Sequence, residues 1–472
     1  MAALSAMEKL HSMVATAALH DGKRDDDDYT GECLPGTREM YLQRLTDWAD
    51  NGPSEKRVDW VNAVAGAGKT ALTRSFCAVL EKKRTFAFAS FFVWTNDASR
   101  NNLDRFPATI AAQLCERIPA LAPFVETAIN HGPFLFKSTF QKQIDNLVIA
   151  PLLDACEAVK KQGHIIIIVD GLDELDAKGQ TDFFRFIPHF IGQLSSLPIS
   201  LLVTSRPETE IVGAFQHPNL SSITIPIALG ESEEDIWKFL NEKLDNINLR
   251  FPYLQQRYGM WPSKEQRAIM FRQSSGLFIW PTVAINYIDK TAKGLRHNER
   301  LELVLSTSEP KPWVGSPLDK LYWAILNAHA PEDRTSIEFL LFKRRLALLC
   351  LPVDVRHFIF EKEGLEKLLV NLSDLPIRAV FEETLDEVWD SVADFTSIFK
   401  PREPPSDENS PLPTISHRTF RDFTFNRLRC GDEFYYRDEQ ELHSEVICKF
   451  IDFFNSPPPY KVRLIMQVFC QC

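Results

Sequence analysis

This sequence has no apolar stretch approaching the roughly 20 residues that a membrane-spanning helix needs, so no integral membrane segment is expected. Met1 to Ala18 carries neither a basic start nor a long apolar core, so this stretch is not expected to be a secretory signal. Positive charge is in short supply: 53 Lys and Arg against 64 Asp and Glu leave a formal net charge of −11. That balance weighs against nucleic acid as the main partner. Paired Cys-x-x-Cys spacing is missing, and the nine cysteines stand singly apart from Cys470 and Cys472. No thiolate metal site or disulfide framework is therefore expected. Cys77, Cys115 and Cys156 fall in apolar, helix-like runs, where cysteine serves as a small buried hydrophobe. A reducing, cytoplasmic compartment follows. No internal repeat is visible.

What is present is organised around Val58 to Leu80. Val58 to Val61 has the composition of a short buried strand, Ala65 to Gly68 that of a small-residue turn, and Lys69 to Leu80 that of a helix. Strand, turn and helix in that order make the context of a phosphate-binding loop. Backbone N–H groups of Ala65, Gly66, Ala67, Gly68, Lys69, Thr70 and Ala71 can turn toward an anion at the positive end of the helix. Lys69 would reach the β- and γ-phosphates, and the Thr70 hydroxyl would sit on Mg²⁺. One position departs from Gly-x-x-x-x-Gly-Lys-[Ser/Thr]: Ala63 stands where glycine is usual. Its methyl is tolerable if φ stays negative and costly if φ must be positive.

The flanking chain alternates strands with helices. Leu4, Met7, Leu10 and Met13 or Val14 mark one side of an N-terminal amphipathic helix, and Asp25 to Asp28 lie in a solvated acidic linker. Pro35-Gly36 marks a turn, with Thr37 as an N-cap and Leu42, Leu45 and Trp48 on one face of the helix that follows. Buried strands are expected over Phe86 to Trp94, Ile165 to Val169 and Ile199 to Thr204, with Ser222 to Ile227 closing the sheet. Helices are expected over Asn101 to Ile118, Phe140 to Lys161 and Thr181 to Leu194. This pattern predicts a doubly wound α/β domain with a parallel sheet and right-handed crossovers. From Gly230 the strand signal almost vanishes and helical periods take over. Arg402 to Pro413, rich in proline and polar residues, is expected to be a mobile loop between two short strands.

Ile165 to Val169 delivers Asp170 to the carboxyl edge of the sheet, where ligands of open α/β sheets bind. Asp170 is the candidate for holding Mg²⁺, and Asp173 or Glu174 for orienting the attacking water of phosphoryl transfer. Arg206 ends the next buried strand, where a guanidinium can register a γ-phosphate. A guanine-selecting Asn-Lys-x-Asp is missing after this strand, so adenine is the better fit.

Cys33 to Arg38, Asn62 to Thr70, Asp170 to Glu174, Thr204 to Pro207 and Gly276 to Trp280 occur in that order. This set resembles the NACHT family of STAND-class P-loop NTPases, especially its fungal, NLR-like branch. Pro317 to Tyr322 and His417 to Phe423 are similar to the helical and winged-helix parts that follow the NTPase there. The resemblance implies a doubly wound P-loop NTPase sheet, then a helical domain and a winged-helix-like α+β domain. It divides the chain into an N-terminal helix and linker (1–30), the NTPase (31–228), the helical part (229–310), the winged-helix-like part (311–455) and a C-terminal linker (456–472). It also implies a switch that rests with ADP, opens on exchange for ATP and Mg²⁺, hydrolyses ATP slowly, and oligomerises to recruit effector or sensor proteins in innate-immunity or cell-death signalling. Arg38 would lie against base and ribose, and His417 would contact the ADP β-phosphate.

Ala63 and Val64 replace the family's Gly-Pro, the stretch from Arg344 to Phe399 follows the winged-helix pattern poorly, and the usual repeat array does not follow Cys472, so a truncated member, a separate adaptor or a fragment of a larger gene product is expected. The alternative is a degenerate scaffold that binds partner proteins without nucleotide turnover. A small-molecule kinase would need an arginine-rich lid that is not evident.

Overall fold

In the computed structural model of the chain, the apolar runs become five parallel strands. They are β1 (Val58–Asn62), β2 (Ala87–Phe92), β3 (Ile165–Asp170), β4 (Ile199–Ser205) and β5 (Thr224–Ala228). The structure describes residues 4–22, 31–83, 86–95, 97–230, 232–289, 296–307, 315–351, 385–395, 397–399, 413 and 415–455. Two compact units are present, residues 1–235 and 236–472.

Sheet order in the first unit is β2-β3-β4-β1-β5, so β4 separates the phosphate-loop strand from the strand that carries Asp170. Register aligns Asn62 with Ser205 across β1 and β4, and Val169 with Val203 across β3 and β4. The carboxyl ends of β1, β3 and β4 therefore share one edge. Both faces are covered, which is why the strands are apolar throughout rather than alternating. Ile165, Ile167, Val169, Leu201 and Val203 join one core, together with α4 (Phe106–Arg117) and the long helix Ala177–Gln193. Ile166, Ile168 and Leu202 join the other, with α2 (Glu39–Asn51) and α3 (Lys69–Lys83).

The two edges are protected differently. On β2, the Gln113 amide donates to the Ser90 carbonyl at 2.9 Å and accepts the Ser90 N–H at 2.9 Å, while Arg117 donates to the Phe88 carbonyl at 2.7 Å. Side chains of α4 thus occupy backbone groups that an unpaired edge would offer to another chain. On β5, Pro226 lacks an N–H, which an edge strand tolerates.

The N-terminal helix is shorter than expected, α1 (Ala6–Ser12), closed by a capping box between Ser5 and Glu8. Leu10 and Ala18 are fully buried in the first core, so this segment packs within the first unit. Thr109 accepts the Ala15 N–H at 2.9 Å and Ser90 accepts the His20 N–H at 3.0 Å. The acidic linker expected beyond it lies outside the described residues. The single helix expected over Phe140 to Lys161 is instead a broken series, in which a π-helical turn, Asp145–Ile149, precedes Pro151. Proline clashes with the carbonyl of a preceding turn, which accounts for the break.

The second unit is helical among its described residues. Lys264–Ser274, Ile279–Asp289, His297–Ser306 and Pro317–His329 pack on one another. An isolated antiparallel bridge joins Phe399 and Ile415. Residues 400–412, where the mobile loop is expected, and 352–384, within the expected winged-helix part, lie outside the described residues. So does the tail, 456–472.

Candidate functional site: a phosphate loop facing a buried carboxylate

The loop between β1 and α3 contains two glycines with positive φ, Gly66 at 78° and Gly68 at 91°. L-residues with a Cβ are strained there, so glycine is required at both. Ala63 is different. Among the described non-glycine residues only Arg38 and Ser275 have positive φ, so Ala63 takes its methyl without strain and buries it in the second core. The departure from the glycine pattern is sterically harmless.

Lys69 folds back over the loop and donates to the carbonyls of Ala63 (2.7 Å) and Val64 (3.2 Å). Burial pushes its ammonium below the ordinary lysine range, against the opposing fields of Asp173 and Asp170. Thr70 donates its hydroxyl to Asp170 Oδ2 at 2.7 Å. Lys69, Thr70 and Asp170 therefore share one site. Asp170 is 3% exposed, and its other oxygen, Oδ1, accepts from Thr73 at 2.9 Å and Thr204 at 2.7 Å.

The two acids considered for orienting water are engaged differently. Asp173 is buried and paired with Arg206: Oδ1 accepts the Arg206 N–H at 2.9 Å, and Oδ2 lies 3.2 Å from Arg206 Nε. Glu174 is held at the end of β2, where its Oε2 accepts the Thr95 N–H at 3.0 Å. Of the two carboxylates, Asp173 is therefore tied to the arginine that was expected to register a γ-phosphate, and Glu174 to a neighbouring loop.

Arg38 takes a left-handed conformation at φ 57° and starts α2. Its guanidinium donates to Ala67 O at 2.9 Å and Gly230 O at 2.7 Å, and its N–H donates to Asp235 at 3.0 Å. Burial lowers its pKa, with Asp235 pulling the other way. Tyr41 accepts the Gly230 N–H at 2.8 Å, so α2 and the chain after β5 are stitched to the back of the phosphate loop. His417 lies in the second unit and caps the helix Arg418–Thr424: its Nδ1 accepts the Thr419 N–H at 3.2 Å. The Thr419 hydroxyl, 2.8 Å from that nitrogen, also lies 2.8 Å from the buried Tyr322 hydroxyl.

Thr73, Thr95 and Tyr41 were not singled out in the sequence. Thr73 had a signal, since it sits one helical turn from Thr70 on the same face. Thr95 and Tyr41 had none, because their partners lie 79 and 189 residues away. The donor set fits a magnesium-bound nucleotide: hydroxyl and carboxylate oxygens suit Mg²⁺, and a lysine over a glycine loop suits phosphate. Among the described residues there is no group of three or more His, Cys, Asp and Glu placed to hold a metal by themselves. No helix among them is long and apolar enough to cross a membrane.

Comparison with known proteins finds one family model and several solved structures that are similar to this chain. The model of the family described as nephrocystin 3, N-terminal, matches residues 36–206, from the turn before Arg38 to Arg206 itself. No curated protein matches the sequence. Among solved structures, Cdc6p from Pyrobaculum aerophilum is similar at 12% identity and TM-score 0.33, covering 91% of this chain and 97% of that one. The ORC1 protein of Aeropyrum pernix, solved in complex with DNA, gives 14% identity and TM-score 0.35, covering 93% of this chain and 97% of that one. The Walker-type ATPase PABY2304 of Pyrococcus abyssi gives 11% and 0.37, covering 82% and 94%. The P-loop NTPase fold stands on the strand order, the loop and its facing carboxylate.

Proposed function

We propose that this chain is an ATP/ADP-gated switch of the NACHT, STAND-class type, with weak ATPase activity. The observation that supports it most is the meeting of Lys69, Thr70 and Asp170 at the carboxyl edge of one parallel sheet, with Thr70 2.7 Å from Asp170. Mg²⁺ bound with the nucleotide would supply positive charge on the phosphate oxygens at that edge. Thr70 and Asp170 would hold the metal, and the loop from Ala65 to Ala71 with Lys69 would hold the phosphates. Arg38, braced against Ala67, would keep the loop in shape while α2 borders the nucleotide.

Arg206 would exchange its Asp173 partner for a γ-phosphate, so that the presence of that phosphate is read as the breaking of an internal ion pair. Glu174, released from Thr95, would accept the proton of the attacking water at Oε2. Its engagement with Thr95 is in keeping with slow turnover. His417 would contact the ADP β-phosphate. The division at 31–228, 229–310 and 311–455, cytoplasmic location, self-assembly, and effector or sensor partners in innate-immunity or cell-death signalling belong to the same proposal.

The test is to denature the purified full-length chain, identify released nucleotide by chromatography, and compare ADP and ATP binding with Lys69→Ala. ADP or ATP in the wild type, lost in the variant, is expected. A switch also requires unequal affinity of its two states for the two nucleotides, because equal binding shifts nothing. No bound nucleotide, together with assembly indifferent to ATP and to Lys69→Ala, would instead support the scaffold reading.

A further inference from the structure

Three threonine hydroxyls converge on the Asp170 carboxylate, and two of them have no place in the phosphate-loop pattern. Thr73 and Thr204 both donate to Oδ1, at 2.9 and 2.7 Å, while Thr70 alone donates to Oδ2. Thr204 also accepts the Gly171 N–H at 3.0 Å, which leaves its single hydroxyl proton directed at Asp170. Thr73 has a second acceptor, the Lys69 carbonyl at 3.0 Å, the usual back-bond of a helical threonine. Both hydroxyls are buried, each residue being 1% exposed.

A carboxylate offers two in-plane acceptor positions on each oxygen. Two donors saturate Oδ1. One donor on Oδ2 leaves one position open there, on the side shared with Thr70. We propose that Thr73 and Thr204 are positioning residues that clamp Asp170 so that it meets Mg²⁺, or a water on it, through Oδ2 alone. This rests on the reading of the site as one for a magnesium-bound nucleotide. Thr204 comes from β4 and Thr73 from α3, so the clamp also ties the metal-binding acid to the two elements that flank it. An unclamped carboxylate would rotate, and part of the metal's binding free energy would go into fixing it.

The test uses the full-length chain with valine and serine at each position. Two quantities are read for every variant: nucleotide affinity in EDTA, and the Mg²⁺ concentration that half-maximally changes that affinity. Thr73→Val and Thr204→Val are each expected to raise the Mg²⁺ requirement about tenfold, the worth of one hydrogen bond to a charged group. Affinity in EDTA should stay within about twofold, and Thr73→Ser and Thr204→Ser should restore the wild-type requirement. Should a valine variant not fold, the smaller Thr73→Ala and Thr204→Ala replace it. In an Asp170→Ala background the threonine variants should have no further effect on Mg²⁺, since the group they position is gone.

An unchanged Mg²⁺ requirement in folded valine or alanine variants overturns the proposal. So does an equal loss of affinity with and without metal, which marks a purely structural role. A wild-type chain that binds no nucleotide in either condition sinks the functional reading, and the clamp's role with it. Metal-dependent binding in the wild type that ignores both threonines sinks the clamp alone.

Discussion

Replacing Asp59 by asparagine is expected to stabilise the protein, and more so at neutral than at acid pH. Asp59 sits in β1, immediately before the phosphate loop, and is 2% exposed. Its Oδ1 is buried and finds no hydrogen-bond donor among the described residues. Burial raises the carboxyl from 3.8 to about 6, with Arg44 opposing. The acid is therefore ionised inside the sheet at pH 7. Its folded pKa lies above the unfolded one, so between pH 3.8 and about 6 the folded state holds a proton that the unfolded chain releases. The contribution to stability is greatest below pH 3.8, falls as pH rises to about 6, and is flat beyond.

The whole fall corresponds to about 3 kcal/mol. Asparagine avoids that cost but buries an amide with unmet hydrogen bonds, so a net gain of about 1–2 kcal/mol is expected at pH 7.5. For a unit of this size that is a rise in melting temperature of about 2–8 °C. Scanning calorimetry of wild type and Asp59→Asn at pH 5, 6, 7 and 8 provides the check, read as the difference between the two proteins so that all other titrating groups cancel. The advantage of asparagine should shrink toward pH 5. An advantage that is independent of pH, or that grows on acidification, refutes the reasoning.

Leu10→Ala should cost about 2–5 kcal/mol in thermal or denaturant unfolding, because Leu10 is fully buried between the N-terminal helix and the sheet's helices; a change under about 0.5 kcal/mol contradicts that packing. Gly68→Ala should weaken nucleotide binding at least tenfold and lower the melting temperature by about 2–8 °C, since a Cβ at φ 91° costs about 1–2 kcal/mol in the folded loop. His164, whose Nδ1 donates to the Ala49 carbonyl at 2.9 Å and whose Nε2 accepts from Ser200 at 2.8 Å, is held neutral, burial having lowered its pKa below 6.5. The unfolded chain takes up that proton first, so stability should fall as pH drops through 6.5 and the melting point of His164→Gln should fall less over the same range.

Much of the first unit was legible residue by residue. Five β-branched or aliphatic residues before Asp170 admit little besides a strand buried on both faces, and Gly66 and Gly68 flank a turn that only glycine can make. Strand, turn and helix are settled by interactions within a few residues, which is why the phosphate loop could be placed before any tertiary contact was known. Ala63 was ambiguous for the opposite reason: its backbone angle depends on how β1 feeds the loop, and no neighbouring residue declares it.

Strand order, and with it the separation of β1 from β3 by β4, came only from the fold. So did the burial of the N-terminal helix, whose amphipathic pattern says that one face is covered but not by what. The pairings inside the site belong to the same class. Which acid takes Arg206, which is tied to Thr95, and which collects three hydroxyls is decided by side chains brought together from as many as 100 residues apart. Local sequence names the donors and acceptors, whereas long-range packing chooses among equally good partners, because the free energy of a hydrogen bond depends on its burial and geometry and not on its distance along the chain.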